Sequence, residues 1–175
     1  LGRISPEKGL GDVLAILSQH IDQLRMSIEL WIGGDGRQFK ELSSTYTSID
    51  RLKINWLGYV HDRAEFYKLI DLVIFPSKLD SFGLVLTESW TYGVPVLTSD
   101  LEVFLELKSL APEPEQKLVF SLNNPQTLLD KLNYFWENFT TYRNQEYAQR
   151  LQNTVKQYFN FSEQLKKYKQ VLKID

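Results

Sequence analysis

Asp71-Leu72-Val73-Ile74-Phe75-Pro76-Ser77, Asp80-Ser81-Phe82-Gly83-Leu84-Val85-Leu86-Thr87-Glu88 and Ser89-Trp90-Thr91-Tyr92-Gly93-Val94-Pro95-Val96 are the stretches on which the fold is decided. Leu72–Phe75 and Val94–Leu97 are short apolar runs rich in Val, Ile, Leu and aromatics, and read as strands. Leu84–Thr91 lies between them, opened by a Phe-Gly turn, and reads as a helix with one buried face. Strand, helix and strand in this order imply a right-handed crossover joining parallel strands.

The alternation continues on both sides. Ser27–Ile32, Leu52–Leu57 and Leu118–Phe120 read as further strands, and Leu10–His20, Arg37–Ser44 and Arg63–Ile70 as further helices. The class predicted is α/β: a Rossmann-like parallel sheet flanked by helices, ending in a helical tail. Pro125 suits a first helical turn after Asn123 or Asn124 as cap and leads into Gln126–Phe139. A second tail helix is expected from about Thr141 to Tyr158, and a third from Ser162 to Leu172. Leu107–Gln116, which holds Pro112 and Pro114 among charges, reads as a loop. The lysines at 156, 166, 167, 169 and 173 fit a solvated helix face. Tyr134, Phe135, Trp136, Phe139 and Tyr142 read mostly as core, some exposed if the chain packs on another half.

Composition narrows the function. With 175 residues the chain makes a single domain, 1–175, large enough to bury about 70% of its unfolded surface. Its net charge of −2 argues against broad binding to nucleic acid or an anionic membrane, though a local basic pocket is allowed. Without cysteine there is no disulfide framework and no thiolate zinc site, and neither His20 nor His61 has a metal-ligand partner at useful spacing. No apolar run approaches the ~20 residues that span a bilayer.

Ligands of doubly wound sheets gather at the carboxyl ends of the strands. Arg3, Gly33–Gly36, Gly58–Val60 and Ser77–Gly83 all fall there. Backbone N–H groups of Phe82, Gly83 and Leu84 would sit free at a helix N-terminus, which favours an anion such as diphosphate. Asp80 and Glu88, eight positions apart, can address the ends of one ligand. A molecule with a phosphate centre and hydroxyl-rich ends fits, and a nucleotide-sugar is one.

The stretch Asp80–Glu88 also resembles the Glu-x7-Glu motif of the group-1 family of retaining glycosyltransferases, which have the GT-B fold of two Rossmann-like domains. Leu1-Gly2-Arg3-Ile4-Ser5-Pro6-Glu7-Lys8-Gly9-Leu10 resembles the opening of that family's C-terminal domain. Trp31-Ile32-Gly33-Gly34-Asp35-Gly36, Leu57-Gly58-Tyr59-Val60 and Asp71–Ser77 are similar to its second strand and glycine turn, its base-binding loop and its fourth strand. The resemblance implies one half of a GT-B fold: the domain that binds the nucleotide-sugar donor, with the acceptor domain absent. It implies hexosyl transfer with retention and without a metal or other cofactor. It also implies a UDP- or GDP-linked donor and a glycan or lipid-linked acceptor held by the missing domain. Bacterial polysaccharide assembly is the setting the family implies: in the cytoplasm, at the inner membrane face if the missing domain associates peripherally.

By the same resemblance, Arg3 and Lys8 hold the donor diphosphate, Arg as a fork and Lys as a point charge. Gly34 approaches the donor through its backbone, or is simply a tight turn. Tyr59 and Val60 grip the base partly through main-chain atoms, or form a plain strand-end turn. Glu88 accepts hydrogen bonds from the ribose hydroxyls; taken alone it is also a residue that a helix's first turn favours. Asp80 departs from the family's usual Glu and is about 1.5 Å shorter in reach. Either the loop moves closer, the sugar differs, or the site is weakened. A second departure follows Thr98-Ser99-Asp100, where the family often shows paired glycines and a Glu; Leu101–Glu106 has no glycine. Two other readings stay open. One is a non-catalytic GT-B-like subunit that keeps the nucleotide and assists a partner; the other is a GT-B enzyme such as an epimerase or phosphorylase.

Overall fold

A computed structural model of the protein describes residues 1–159. The expected helix Ser162–Leu172, and the lysines at 166, 167, 169 and 173, lie outside the described residues. Each predicted strand and helix within 1–159 is present. The strands are β1 Ile28–Gly33, β2 Leu52–Gly58, β3 Val73–Phe75, β4 Val96–Ser99 and β5 Val119–Phe120. The helices are α1 Leu10–His20, α2 Phe39–Thr45, α3 Arg63–Lys68, α4 Leu84–Thr91, α5 Glu102–Ser109, α6 Glu113–Gln116, α7 Gln126–Glu137, α8 Phe139–Tyr142 and α9 Gln145–Tyr158.

Two of these correct the sequence reading. Leu107–Gln116 is not a loop: α5 runs to Ser109, and α6 forms just beyond it. Pro112 and Pro114 stand before and inside the first turn of α6, where a missing N–H removes no helical bond. The tail helix expected from Thr141 breaks at Asn144, whose side chain accepts from Glu146 N and caps α9.

All ladders are parallel, as expected of strands joined by helices, but they form two separate sheets. β1 pairs with β2 from Ile28↔Leu52 to Gly33↔Gly58, and β3, β4 and β5 pair in that order. Among the described residues no backbone ladder joins β1 to β3. The seam between them holds a cavity of about 570 Å³.

One apolar core serves both sheets. α1 buries Val13, Leu14 and Leu17, α7 buries Leu128, Leu129, Leu132 and Phe135, and α9 buries Tyr147 and Leu151, each at the three-to-four-residue spacing of one helical face. Of the tail aromatics, Phe135 and Tyr142 are core, whereas Trp136 stays 45% exposed.

Behind β4 the core is polar. Lys108 and Glu115, both fully buried, form an ion pair of 2.7 Å. Glu115 Oε1 also accepts from Trp90 Nε1 (2.9 Å) and Val96 N (3.0 Å), and its Oε2 accepts from the Tyr147 hydroxyl (2.6 Å). Lys108 Nζ donates further to the Val96 and Glu115 carbonyls. Five elements are thus tied to one carboxylate.

Burial raises the pKa of Tyr67 to about 12 and pushes Tyr142 and Tyr147 up further, with Glu115 adding to both of the latter. These phenols hold their protons more tightly folded than unfolded, so their stabilisation is complete below pH 10 and is lost as pH rises through 10 to 12 and beyond. Each contributes a slope of about 1.4 kcal/mol per pH unit in that window. Burial lowers the Lys108 pKa against the pull of Glu115, so Lys108 works the other way, but only up to its unfolded value near 10.5. Steep unfolding above pH 10.5 is therefore expected, with tyrosinate absorbance appearing together with loss of helical circular dichroism. Phenol titration completed while the protein remains folded would contradict it.

Candidate functional site

The residues singled out in the sequence meet at the carboxyl ends of the strands in two neighbouring groups. The first surrounds the start of α4. Gly83 takes the left-handed conformation (φ 62°) just before the helix, and a β-carbon there would come within 2.5 Å of Leu107. Glycine alone fits this position comfortably.

Asp80 turns its carboxylate back onto that helix end. Its Oδ1 accepts from Gly83 N at 2.8 Å and Phe82 N at 3.1 Å, while Oδ2 meets Lys8 Nζ at 2.8 Å. Two of the three N–H groups expected to be free, those of Phe82 and Gly83, are therefore already engaged. Burial would raise the Asp80 pKa, but the Lys8 and backbone hydrogen bonds outweigh it, and the carboxyl lies below the usual aspartate value. The site holds an anionic oxygen between an ammonium and a helix N-terminus, the environment that suits phosphate.

Lys8 reaches this point because Pro6–Lys8 form a short 3-10 turn ended by Gly9, which is also left-handed (φ 70°). That turn is tied to the loop after β3: Lys78 N donates to the Glu7 carbonyl at 2.8 Å, and buried Ser77 bridges toward Lys8, the Leu79 carbonyl and β4. Phe75 lies beneath the ammonium, 5.8 Å from ring centroid to Nζ. Arg3 is exposed and has no hydrogen-bond or ion-pair partner among the described residues, so its guanidinium is available beside this cradle.

The second group lies further along α4. Glu88 sits in the second turn, not the first as the helix-dipole alternative required, about 7–8 Å along the axis from Gly83. Its Oε2 accepts from Arg63 Nη1 at 2.6 Å, whereas Oε1 is buried with no partner among the described residues. Arg63 opens α3, and its hydrogen bond to Glu88, then the Glu88 charge, raise its pKa, with nearby Tyr59 adding a little. Tyr59 is 70% exposed and packs edge-on against His61 at 4.7 Å. Val60 closes on Gly33, and Gly34 N donates to the Gly58 carbonyl at 2.6 Å. A β-carbon on Gly34 would stand 1.8 Å from the Gly2 carbonyl, so this turn is glycine because another segment of backbone crosses it. Phe82 and Leu84 are more than two-thirds exposed and offer apolar surface at the rim.

Arg63 is the residue that sequence reasoning missed. Its signal was faint: an arginine at a helix start following the base-loop segment. No group of three or more His, Asp or Glu side chains arranged to hold a metal occurs among the described residues. No described helix is long and apolar enough to cross a membrane.

Residues 1–170 match the family described as glycosyl transferases group 1. Over 86 residues the chain is 30% identical to the O-antigen biosynthesis glycosyltransferase WclY of Escherichia coli, covering 49% of this chain and 23% of that protein. The fold is similar to that of Anabaena Alr3699/HepE in complex with UDP-glucose, with a TM-score of 0.75 and 22% identity, over 98% of this chain and 48% of that one. It is also similar to the C-terminal domain of the group 1 family protein LpcC from Francisella tularensis, with a TM-score of 0.64 and 18% identity, over 92% of this chain and 84% of that one. The chain thus spans about a quarter of the curated relative's length and has the fold of one half of a GT-B glycosyltransferase.

Proposed function

Because the chain belongs to the glycosyl transferases group 1 family, we propose that it is the donor-binding half of a glycosyltransferase and takes a nucleotide-sugar. The observation that carries this reading is the anion cradle, in which Lys8 and the N–H groups of Phe82 and Gly83 hold a carboxylate. A diphosphate satisfies the same donors and brings its second phosphate toward Arg3. From there the nucleoside runs along α4, its ribose hydroxyls donating to the unpartnered Oε1 of Glu88 once the side chain turns toward them, and its base resting against Tyr59 and Val60. The solved neighbour whose complex contains UDP-glucose supports this class of ligand.

In this reading Asp80 is the residue that must move. When diphosphate takes the cradle, its carboxylate is released toward the sugar, where it supports positive charge developing at the anomeric carbon. Arg3, Lys8 and the helix N-terminus carry the negative charge of the departing diphosphate, so retaining transfer proceeds without a metal. A second half of the protein holds a glycan or lipid-linked acceptor, and the chain alone binds nucleotide without turning over. The setting proposed is cytoplasmic assembly of a surface polysaccharide, for which the Escherichia coli relative's name is the support.

Calorimetric titration with UDP, GDP and ADP tests this. One nucleotide is expected to bind saturably, and Glu88→Ala to weaken it by roughly 10–100-fold, the worth of hydrogen bonds to a charged acceptor. Arg3→Ala should weaken a diphosphate but barely affect the nucleoside alone. No binding of any nucleotide to folded protein would refute the reading. The commitment of Asp80 to Lys8 favours one alternative, an assisting subunit without chemistry of its own. Nucleotide binding by the whole protein without sugar transfer or donor hydrolysis would select it.

A further inference from the structure

Side chains of α3 and α4 meet in step. Arg63 Nη1 donates to Glu88 Oε2 at 2.6 Å, and four residues further along each segment Tyr67 stacks on Tyr92, with ring centroids 4.7 Å apart and planes 14° from parallel. A step of four returns to the same face of a helix, so one face of α3 is clasped to one face of α4. The Ser89 hydroxyl, 3.4 Å from that of Tyr67, lies between the two contacts. The contacts differ in kind. Tyr67 is fully buried, and its stacking on Tyr92 is packing that holds the helices together. The Arg63 side chain is half exposed, and an exposed ion pair adds little to folding. With the helices already fixed by the aromatic pair, what the ion pair sets is finer: the direction of the Glu88 carboxylate.

A glutamate side chain is among the richest in rotamers, and fixing it without a partner is unfavourable. Here Arg63 holds one corner, Oε2, and leaves Oε1 without a partner among the described residues. The carboxylate can turn about the held corner, which brings Oε1 to a hydroxyl without searching other rotamers. Arg63 also ties the neighbouring loop. Asp62 caps α3, its Oδ1 accepting from Glu65 N at 2.9 Å, and Tyr59 and Val60 stand just ahead of it. Val60 anchors that loop to Gly33, and Arg63 anchors its other end to α4. One guanidinium thus fixes both the direction of Glu88 and its distance from Tyr59 and Val60.

We infer that Arg63 is a positioning residue for nucleoside recognition: it acts through Glu88, holding the carboxylate so that the site distinguishes a ribonucleotide from one lacking the ribose hydroxyls. The inference rests on the nucleotide-sugar reading and adds to it the residue on which ribose selectivity depends. Glu88 makes the contact, and Arg63 makes that contact selective.

The test is calorimetry on the 175-residue chain with UDP, GDP and ADP and with the 2′,3′-dideoxy form of each. For the nucleotide that binds, the unmodified chain is expected to favour the ribose form by about tenfold or more, the worth of a hydrogen bond to a charged acceptor. Arg63→Ala should cut that preference to about twofold by weakening the ribose form alone, with a thermal midpoint within about 2 °C of the unmodified chain. Arg63→Lys should recover most of the preference, because a single N–H bond to Oε2 is one an ammonium can also make. Added to Glu88→Gln, Arg63→Ala should cost the ribose form nothing further, as expected of two residues acting as one. Equal weakening of the ribose and dideoxy forms would overturn the inference, since Arg63 would then be a direct contact or a structural one. A preference untouched by Arg63→Ala, or not recovered by Arg63→Lys, would overturn it as well. Those results leave the nucleotide reading standing, whereas failure of the folded, unmodified chain to bind any nucleotide overturns both.

Discussion

Lys108→Ala is expected to lower the unfolding free energy by about 3–5 kcal/mol, the cost of leaving a buried charge without its partner. For a chain of this size that corresponds to a fall in thermal midpoint on the order of 10 °C. The reason lies in Glu115, which is 0% exposed and accepts from four different donors. Removing Lys108 takes away the only formal positive charge bonded to it among the described residues and leaves the carboxylate in an apolar surround. Removing the carboxylate is no remedy, because Glu115→Leu strands the Trp90 indole, the Val96 amide, the Tyr147 hydroxyl and Lys108 together. Glu115→Gln keeps an acceptor oxygen and should be milder than Glu115→Leu. A midpoint for Lys108→Ala within a degree or two of the unmodified chain would show that the pair is not structural.

The second large effect is expected at the cradle, and there it should have opposite signs for two residues in contact. Lys8→Ala should weaken binding of a nucleoside diphosphate by about 10–100-fold, the worth of one charge-assisted hydrogen bond to phosphate. Asp80→Ala should tighten binding of the same ligand, about tenfold, because its carboxylate occupies the donors that the phosphate needs. The same change should abolish most sugar transfer by the whole protein if the released carboxylate supports the reaction. Calorimetry with the nucleotide alone separates the two roles. If Asp80→Ala weakens the nucleotide as Lys8→Ala does, Asp80 is an ordinary donor contact and the competition is absent.

Much of the fold could be read because its elements are signalled locally. Runs such as Val73-Ile74-Phe75 announce strands, and the spacing of Leu128, Leu129, Leu132 and Phe135 announces a buried helix face. What the sequence hid depends on distance through space. Lys108 fell in the segment read as a loop, and a charge gives no hint that Glu115 will meet it seven positions later across a helix break. Two prolines made α6 look like a loop, although proline is tolerated in a first helical turn. The division into two ladders follows from which strands are neighbours, and alternation of strand and helix says nothing of that.

At the candidate site, the residues were legible and their present partners were not. Gly83 and Glu88 stand where their motif put them. Arg63 as the partner of Glu88 belongs to another helix, 25 positions away, and no local pattern pairs them. The bonds from the Phe82 and Gly83 N–H groups to Asp80 did leave a sign: an aspartate two and three positions before backbone N–H groups at a glycine turn is a local hydrogen-bonding motif.

Each ladder is continuous in sequence. β1, α2 and β2 lie within residues 28–58, and β3 to β5, with the helices that contact them, lie from residue 73 onward. Their pairings are therefore closed by short excursions of chain, which favours rapid formation of each half in order of synthesis. The Lys8–Asp80 contact spans 72 positions and draws one partner from each side of that division. Neither side of the division displays the anion cradle alone, so a chain divided between the two ladders would leave each piece without a complete phosphate site.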